Sequence, residues 1–434
     1  MRRIYLSLHR QGLTDRDAWK SRAVIWCAAA LTGLVVVLFS RLTDLAIEGF
    51  TGLTTGRRWL PLLLCPLAGI AIAALTRRFF AGAEGSGIPQ VIVALRDDLP
   101  EEKTGLYVSP RIAVGKIALG VAAIGAGFSA GREGPSVQVG ASIMHAFRRF
   151  LPAPTRDYSR HLVLAGGAAG IAAAFNTPLA GIVFAIEELG RRFEEKTSGV
   201  LISAIVLAGL ISVSLQGNYI YFGRLAVEPA SYRILWPVLV CALACGIAGG
   251  LFSRVLIQAS RPDPSRLGRW RRAHPLAWAG FCGLMVAALG WVSQGAAHGS
   301  GYLVTHDTLL GAMHMDGYYA PVKFAATVFT FLSGVPGGIF APSLAVGVGI
   351  GADLHALLPG VSALSLYALC MAGFLAAVTQ SPLTAFIIVM EMIDGHEMVI
   401  SLMAVAMLSS LVARSFGRPL YGALADLQAK RAGK

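Results

Sequence analysis

Gly131-Arg132-Glu133-Gly134-Pro135-Ser136-Val137-Gln138-Val139-Gly140-Ala141-Ser142-Ile143 is the stretch whose reading decides the fold, because the chain repeats it. Residues 338–350, Gly-Ile-Phe-Ala-Pro-Ser-Leu-Ala-Val-Gly-Val-Gly-Ile, match it at six of thirteen positions, all at an offset of 207. A second match follows at an offset of 204, where Pro178, Leu179 and Glu187 fall on Pro382, Leu383 and Glu391. Two matches in order at nearly one offset divide the chain into related halves, about 20–220 and 234–420.

Composition sets the medium in which those halves fold. Only 14% of the 434 residues are charged and 55% are apolar, with 50 Gly besides. A typical soluble domain is about one quarter charged, so this chain has too few ions to cover a water-exposed surface. The net charge of +13 does not mark a nucleic-acid binder. Its basic residues cluster between apolar runs: Arg2, Arg3, Arg10, Lys20 and Arg22 at the start, Arg261, Arg266, Arg269, Arg271 and Arg272 in one loop, and Lys430, Arg431 and Lys434 at the end. That is the positive-inside pattern, which puts both termini and the 261–272 loop in the cytoplasm. The first 22 residues are polar and basic, unlike a cleaved signal. The six cysteines lie in apolar runs and read as buried thiols, with no metal cage and no cofactor.

Segments free of Asp, Glu, Lys and Arg mark the spans, among them 23–40, 59–76, 117–131, 134–147, 161–186, 273–306, 324–352 and 356–390. A bilayer core needs about 20 helical residues. Several runs are shorter than this, several could hold two helices, and Gly and Pro interrupt many. The expectation is an all-α integral membrane protein of tilted and broken helices, with a first repeat over 23–223 and a second over 224–421. These are flanked by cytoplasmic segments 1–22 and 422–434. Broken helices at membrane depth are tolerated where they are buried or line an aqueous site, and repeat halves place such sites at their interface.

Three segments share one grammar: Gly85-Ser86-Gly87-Ile88-Pro89, Gly131-Arg132-Glu133-Gly134-Pro135 and Gly337-Gly338-Ile339-Phe340-Ala341-Pro342. Glycine lets backbone N–H groups approach a ligand, and proline suits the first turn of a helix. A helix N-terminus offers about four unsatisfied N–H donors and a partial positive charge of about half a unit. Three of them converging would bind an anion without a fixed Lys or Arg, and so without holding it too tightly to release. Glu133 lies inside one such segment. An intramembrane carboxylate is costly and marks a functional site; at a helix N-terminus it would compete with the anion, and protonation would free the seat. The plain alternatives are Gly/Pro turns between spans and a Glu133 paired with Arg132.

These motifs resemble those of the CLC family of chloride channels and chloride/proton exchangers. The likeness continues through Phe175-Asn176-Thr177-Pro178-Leu179-Ala180-Gly181, Ile186-Glu187-Glu188 and Arg418-Pro419-Leu420-Tyr421, covering nearly the whole membrane region. It implies a CLC-type fold of two inverted-topology repeats and a homodimer with one pathway per subunit. It also implies roles. The Ser86 and Tyr421 hydroxyls, with the N–H groups of Ile339 and Phe340, would hold a central anion. Gly85 and Ser86 would line an inner site, and Glu133 and Gly134 an outer one. Glu133 would be the gate, and proton transfer would run through Glu133, Glu188 as the internal acid, and Glu187; Glu391, the repeat counterpart of Glu187, reads as structural.

The acid at Glu188 favours proton-coupled exchange over the passive channel that is the main rival reading. Ser86 favours chloride over nitrate, and Tyr421 argues against the fluoride-exporting branch. The chain ends 13 residues after Tyr421, which leads us to expect no paired CBS domains and suggests a bacterial inner membrane. A different class, an intramembrane serine protease, has one feature to offer: Gly127-Phe128-Ser129-Ala130-Gly131 fits G-x-S-x-G, with Ser129 as nucleophile. That pattern arises readily in glycine-rich sequence, and a catalytic His is needed with it.

Overall fold

The computed structural model describes residues 16–152, 156–190, 195–217, 220–225 and 235–432; Arg2, Arg3, Arg10, Arg191, Arg192 and Lys434 lie outside the described residues. The described residues form nineteen α-helices and no strand. The first half holds α1 (Arg16–Thr54), α2 (Pro61–Phe79), α3 (Ile88–Ala94), α4 (Glu101–Thr104), α5 (Pro110–Gly125), α6 (Glu133–Phe147), α7 (Arg156–Phe175), α8 (Pro178–Phe184) and α9 (Glu195–Gln216). The second holds α10 (Leu235–Ser260), α11 (Arg266–Ala273), α12 (Pro275–Val292), α13 (Tyr302–Leu309), α14 (Tyr319–Ser333), α15 (Phe340–Leu357), α16 (Ala363–Thr379), α17 (Pro382–Ile393), α18 (Val399–Arg414) and α19 (Leu420–Ala432).

Proline opens α2, α3, α5, α8, α12 and α17, where its missing N–H costs no helical bond. Among the described residues, seven helices are long and apolar enough to cross a membrane, and their exposed faces carry residues such as Leu38, Leu67, Leu210, Leu243 and Leu411. The helix α3, with seven residues, is too short to cross it, and α8 stays short of about 20 residues even with the helical turn that follows it to Gly190. The molecule is a multi-pass membrane protein.

Two span boundaries set by charge are displaced in the structure. The runs 117–131 and 324–352 begin just after Lys116 and Lys323, yet both lysines lie inside helices, α5 and α14, and are fully buried. The run 273–306 holds α12 and most of α13, and the run 356–390 holds α16 and most of α17.

The halves are related by inversion. Gly131 and Gly338, equivalent at the offset of 207, form an antiparallel bridge: Gly131 N donates to Gly338 O (2.8 Å) and Gly338 N to Gly131 O (2.7 Å). Equivalent residues that exchange both bonds while running in opposite directions lie on a local two-fold axis, which gives the two repeats opposite senses. The same neighbours pack in each half, α6 on α7 as α15 on α16, and α8 against α17 across the axis. The spaced glycines serve these contacts within the chain. A Cβ on Gly140 would stand 2.2 Å from Gly166 O, and one on Gly347 would stand 2.5 Å from Cys370 O. Gly170, Gly246, Gly250 and Gly351 likewise press on Ser136, Val412, Phe416 and Leu366.

Basic residues tie the 261–272 loop and the last helix to neighbouring chain ends. Arg96 pairs with Asp426 of α19, Arg431 reaches Ser260 O at the end of α10 (2.7 Å), and Arg271 reaches Ala259 O (2.7 Å). Ile25, near the start of α1, belongs to one buried cluster with Leu151. Around the C-terminal end of α1 opens a cavity of about 950 Å³ whose lining reaches inward to Arg132.

Candidate functional site

All three proline-terminated segments meet at the junction of the halves. Gly337 N donates to Gly85 O (3.0 Å), which ties the α15 segment to the α3 segment, and the Gly131–Gly338 bridge ties it to the α6 segment. Glycine is needed for this closeness. A Cβ on Gly134 would stand 2.4 Å from Ser86 Oγ, and one on Gly338 would stand 3.0 Å from Gly134 N. The first turns of α3, α6 and α15 therefore converge, with their N–H groups and positive dipole ends near one another.

Around this point the buried polar side chains lack protein partners. Ser86 Oγ, Tyr421 Oη and both carboxylate oxygens of Glu133 make no hydrogen bond among the described residues, and all three residues are at most 3% exposed. Each such orphan costs about 1–3 kcal/mol, so four in one place point to a ligand rather than to packing. The Tyr421 hydroxyl, at the start of α19, lies beside Ser86. Its ring stacks on Phe340 with centroids 6.0 Å apart, and Phe175 and Phe184 stand 6.3 and 6.2 Å from Phe340. The site is an apolar cage with amides and two hydroxyls aimed inward. Such a cage strengthens electrostatic attraction for a small anion, because little water screens it.

Glu133 is fully buried, and the nearest amides to its carboxylate are its own and that of Ala341 in the first turn of α15. The side chain thus lies across two helix N-termini, where an anion is favoured. Arg132, the alternative partner, forms its ion pair with Asp44 of α1 and donates to Ser40 O (2.9 Å) and Thr43 Oγ1 (3.1 Å).

Glu187 and Glu188 part ways, although they adjoin. After α8 the chain widens to π geometry over Ala185–Gly190, a form that is frequent at functional sites. Glu188 is 2% exposed, accepts a hydrogen bond from Ser381 Oγ and faces Tyr421. Glu187 instead accepts from Leu383 N (3.1 Å) and Thr384 N (2.7 Å), capping α17. Its counterpart Glu391 accepts from Leu179 N (3.3 Å) and Ala180 N (2.7 Å), capping α8. Each half caps a helix of the other.

Sequence reasoning passed over Lys116 and Gln138. Lys116 Nζ donates to Gly85 O (2.8 Å), and Gln138 Nε2 to Gly82 O (2.9 Å) and Tyr107 O (2.7 Å), so both fix the loop that carries Ser86. The available signal was a lone lysine in an apolar run. Ser129 has no nucleophile's setting: its hydroxyl pairs with Thr327 Oγ1 (2.9 Å) and its N–H with Thr330 Oγ1 (3.0 Å).

Comparison with known proteins agrees with this arrangement. Residues 68–414 match the family model described as voltage gated chloride channel. The chain is 30% identical to the H(+)/Cl(-) exchange transporter ClcA of Cronobacter sakazakii (strain ATCC BAA-894), over 95% of this chain and 91% of that one. In fold it resembles the crystal structure of a slow cyanobacterial Cl-/H+ antiporter, with a TM-score of 0.83, 23% identity and coverage of 96% and 99% of the two chains. A CLC-type fluoride/proton antiporter follows, with a TM-score of 0.75, 22% identity and coverage of 92% and 96%. With the inverted halves, the converging helix ends and a family match over most of its length, this chain belongs to the voltage-gated chloride channel family.

Proposed function

We propose that the protein is a secondary active antiporter, not an enzyme, that moves chloride across a membrane in exchange for protons. The observation that carries this reading is the buried Glu133 carboxylate lying over the first turns of α6 and α15. As a carboxylate it takes the seat an anion would take. Once protonated it loses its attraction for the helix ends, swings away and leaves the seat to chloride. Anion occupancy and proton occupancy of one place thereby become linked.

Central chloride is held by the Ser86 and Tyr421 hydroxyls and by the N–H groups of Ile339 and Phe340. Gly85 and Ser86 line the inner approach, and Glu133 and Gly134 the outer one. Glu188 receives the proton from the inner side, with Tyr421 between it and Glu133; Glu187, committed to two amides, positions α17. The exchanger name of the Cronobacter relative supports chloride and proton as the ions carried. Basic clusters at both ends of the chain and in the 261–272 loop support a cytoplasmic placing of both termini in a bacterial inner membrane. The subunit works as half of a homodimer, each half with its own pathway.

Vesicles test the reading. With protein reconstituted and a chloride gradient imposed, protons should move uphill and the pH change should be abolished by an uncoupler. Chloride flux without any proton movement would make the protein a passive channel.

A further inference from the structure

The loop that carries Ser86 has a twin. Gly299-Ser300-Gly301 repeats Gly85-Ser86-Gly87 at an offset of 214, and each leads at once into a short helix, α13 or α3. The backbone repeats too: φ is 63° at both Gly85 and Gly299, and 102° and 85° at Gly87 and Gly301. Behind each loop stands a fully buried lysine, and Lys116 and Lys323 are themselves equivalent at the offset of 207. Lys116 Nζ donates to Gly85 O (2.8 Å), while Lys323 Nζ donates to Gly299 O (2.8 Å) and Ala297 O (2.9 Å).

A side chain points into the second loop as Tyr421 points at the first. Tyr319, at the start of α14, is 3% exposed, and its hydroxyl makes no hydrogen bond among the described residues. That hydroxyl lies 3.2 Å from where a Cβ on Gly301 would stand, against the N-terminus of α13. Lys323 Cε lies 3.0 Å from the same point, and the acceptors of its Nζ are carbonyls rather than carboxylates. Loop and tyrosine both line the cavity of about 950 Å³ that leads to Arg132, next to Glu133. The other charged groups lining it include Arg41, Arg58, Asp44, Glu48, Asp307 and Asp316, with Asp44 held by Arg132.

We propose that Gly299–Tyr302, the Tyr319 hydroxyl and Lys323 form a second anion site for a small halide, in the vestibule that leads to Glu133. The N–H groups of Leu303 and Val304 in the first turn of α13 and the tyrosine hydroxyl donate to the ion, and the lysine behind the loop supplies the compensating charge. Ser300 Oγ accepts from Tyr302 N (3.2 Å) and so shapes the loop. The site is separate from the central one and does not depend on proton coupling.

Crystals of the full-length protein grown in bromide test it by anomalous scattering. Two groups of peaks are expected, one among Ser86, Phe340 and Tyr421, the other within hydrogen-bond distance of Tyr319 Oη. Tyr319→Phe should weaken the second about tenfold in apparent affinity, as for loss of one hydrogen bond to a charge, and leave the first in place. Lys323→Met should remove it, with the surviving central peak reporting an intact fold. No bromide at the loop beside a clear central peak would overturn the inference while sparing the transport site. A loop peak that ignores both substitutions would mark an adventitious ion and overturn it as well. Central peaks missing beside a loop peak that responds would instead sink the transport site and leave this inference standing.

Discussion

Where the two halves agree, the shared residues brace the chain; where they differ, the second half lacks the two acids proposed to carry protons. Gly131 and Gly338 share a bridge, Glu187 and Glu391 cap each other's helices, and Lys116 and Lys323 pin equivalent loops. Glu133 has Phe340 as its counterpart at the offset of 207, and Glu188 has Met392 at 204. The second half thus repeats the helix ends that attract anions but not the two acids that would answer to protons. On the proposed function, symmetry supplies the anion-attracting helix ends and departures from it supply the coupling.

Removing the departures should remove the coupling. Glu133→Gln is expected to have the largest effect, taking uphill proton movement to background while chloride flux persists and loses its pH dependence. Paired pH and chloride recordings from vesicles read both, and retained proton pumping would end the assignment of the gate. Glu188→Met installs the residue of the other half. It should likewise stop proton transport, with chloride binding by calorimetry changed less than about threefold. A loss of both would mean that Glu188 holds the fold rather than the proton.

The loops sharpen the comparison from its symmetric side. Gly85 O also accepts from Gly337 N, and Glu84 O from Gln90 Nε2, so Lys116→Met leaves its carbonyls partnered. Lys323→Met gives its two carbonyls no such substitute among the described residues. Each exposed deficit costs about 1–3 kcal/mol. Thermal unfolding in detergent should therefore show a larger loss for Lys323→Met than for Lys116→Met; the reverse order would break the equivalence of the two loops.

Much of this was legible before any coordinates. The 131–143 repeat announced the two halves, and the three Gly/Pro segments announced the site, because close backbone approach leaves a mark in residue type. The Gly299–Tyr302 twin was harder to find, since Tyr302 and Leu303 replace the Ile88-Pro89 ending and the offset shifts from 207 to 214. Lys116 and Lys323 were misplaced by the ordinary rule that charge ends a span. Carbonyl oxygens from distant turns hold them inside, and a lysine that finds such acceptors is not distinguished by sequence from one that meets water.

The smallest effects belong to the acids that match. Glu187 and Glu391 hold two amides each at similar distances, 3.1 and 2.7 Å against 3.3 and 2.7 Å, on helices related by the same two-fold. A carboxylate at a helix N-terminus gains from both the amide bonds and the dipole; glutamine keeps an oxygen acceptor and loses the charge. Glu187→Gln and Glu391→Gln should then each cost about 1 kcal/mol in unfolding free energy, nearly alike, with proton coupling intact in both. Loss of coupling in Glu187→Gln alone would move that acid from the scaffold to the proton route beside Glu188, since the two caps are geometrically the same and a structural cost would fall on both.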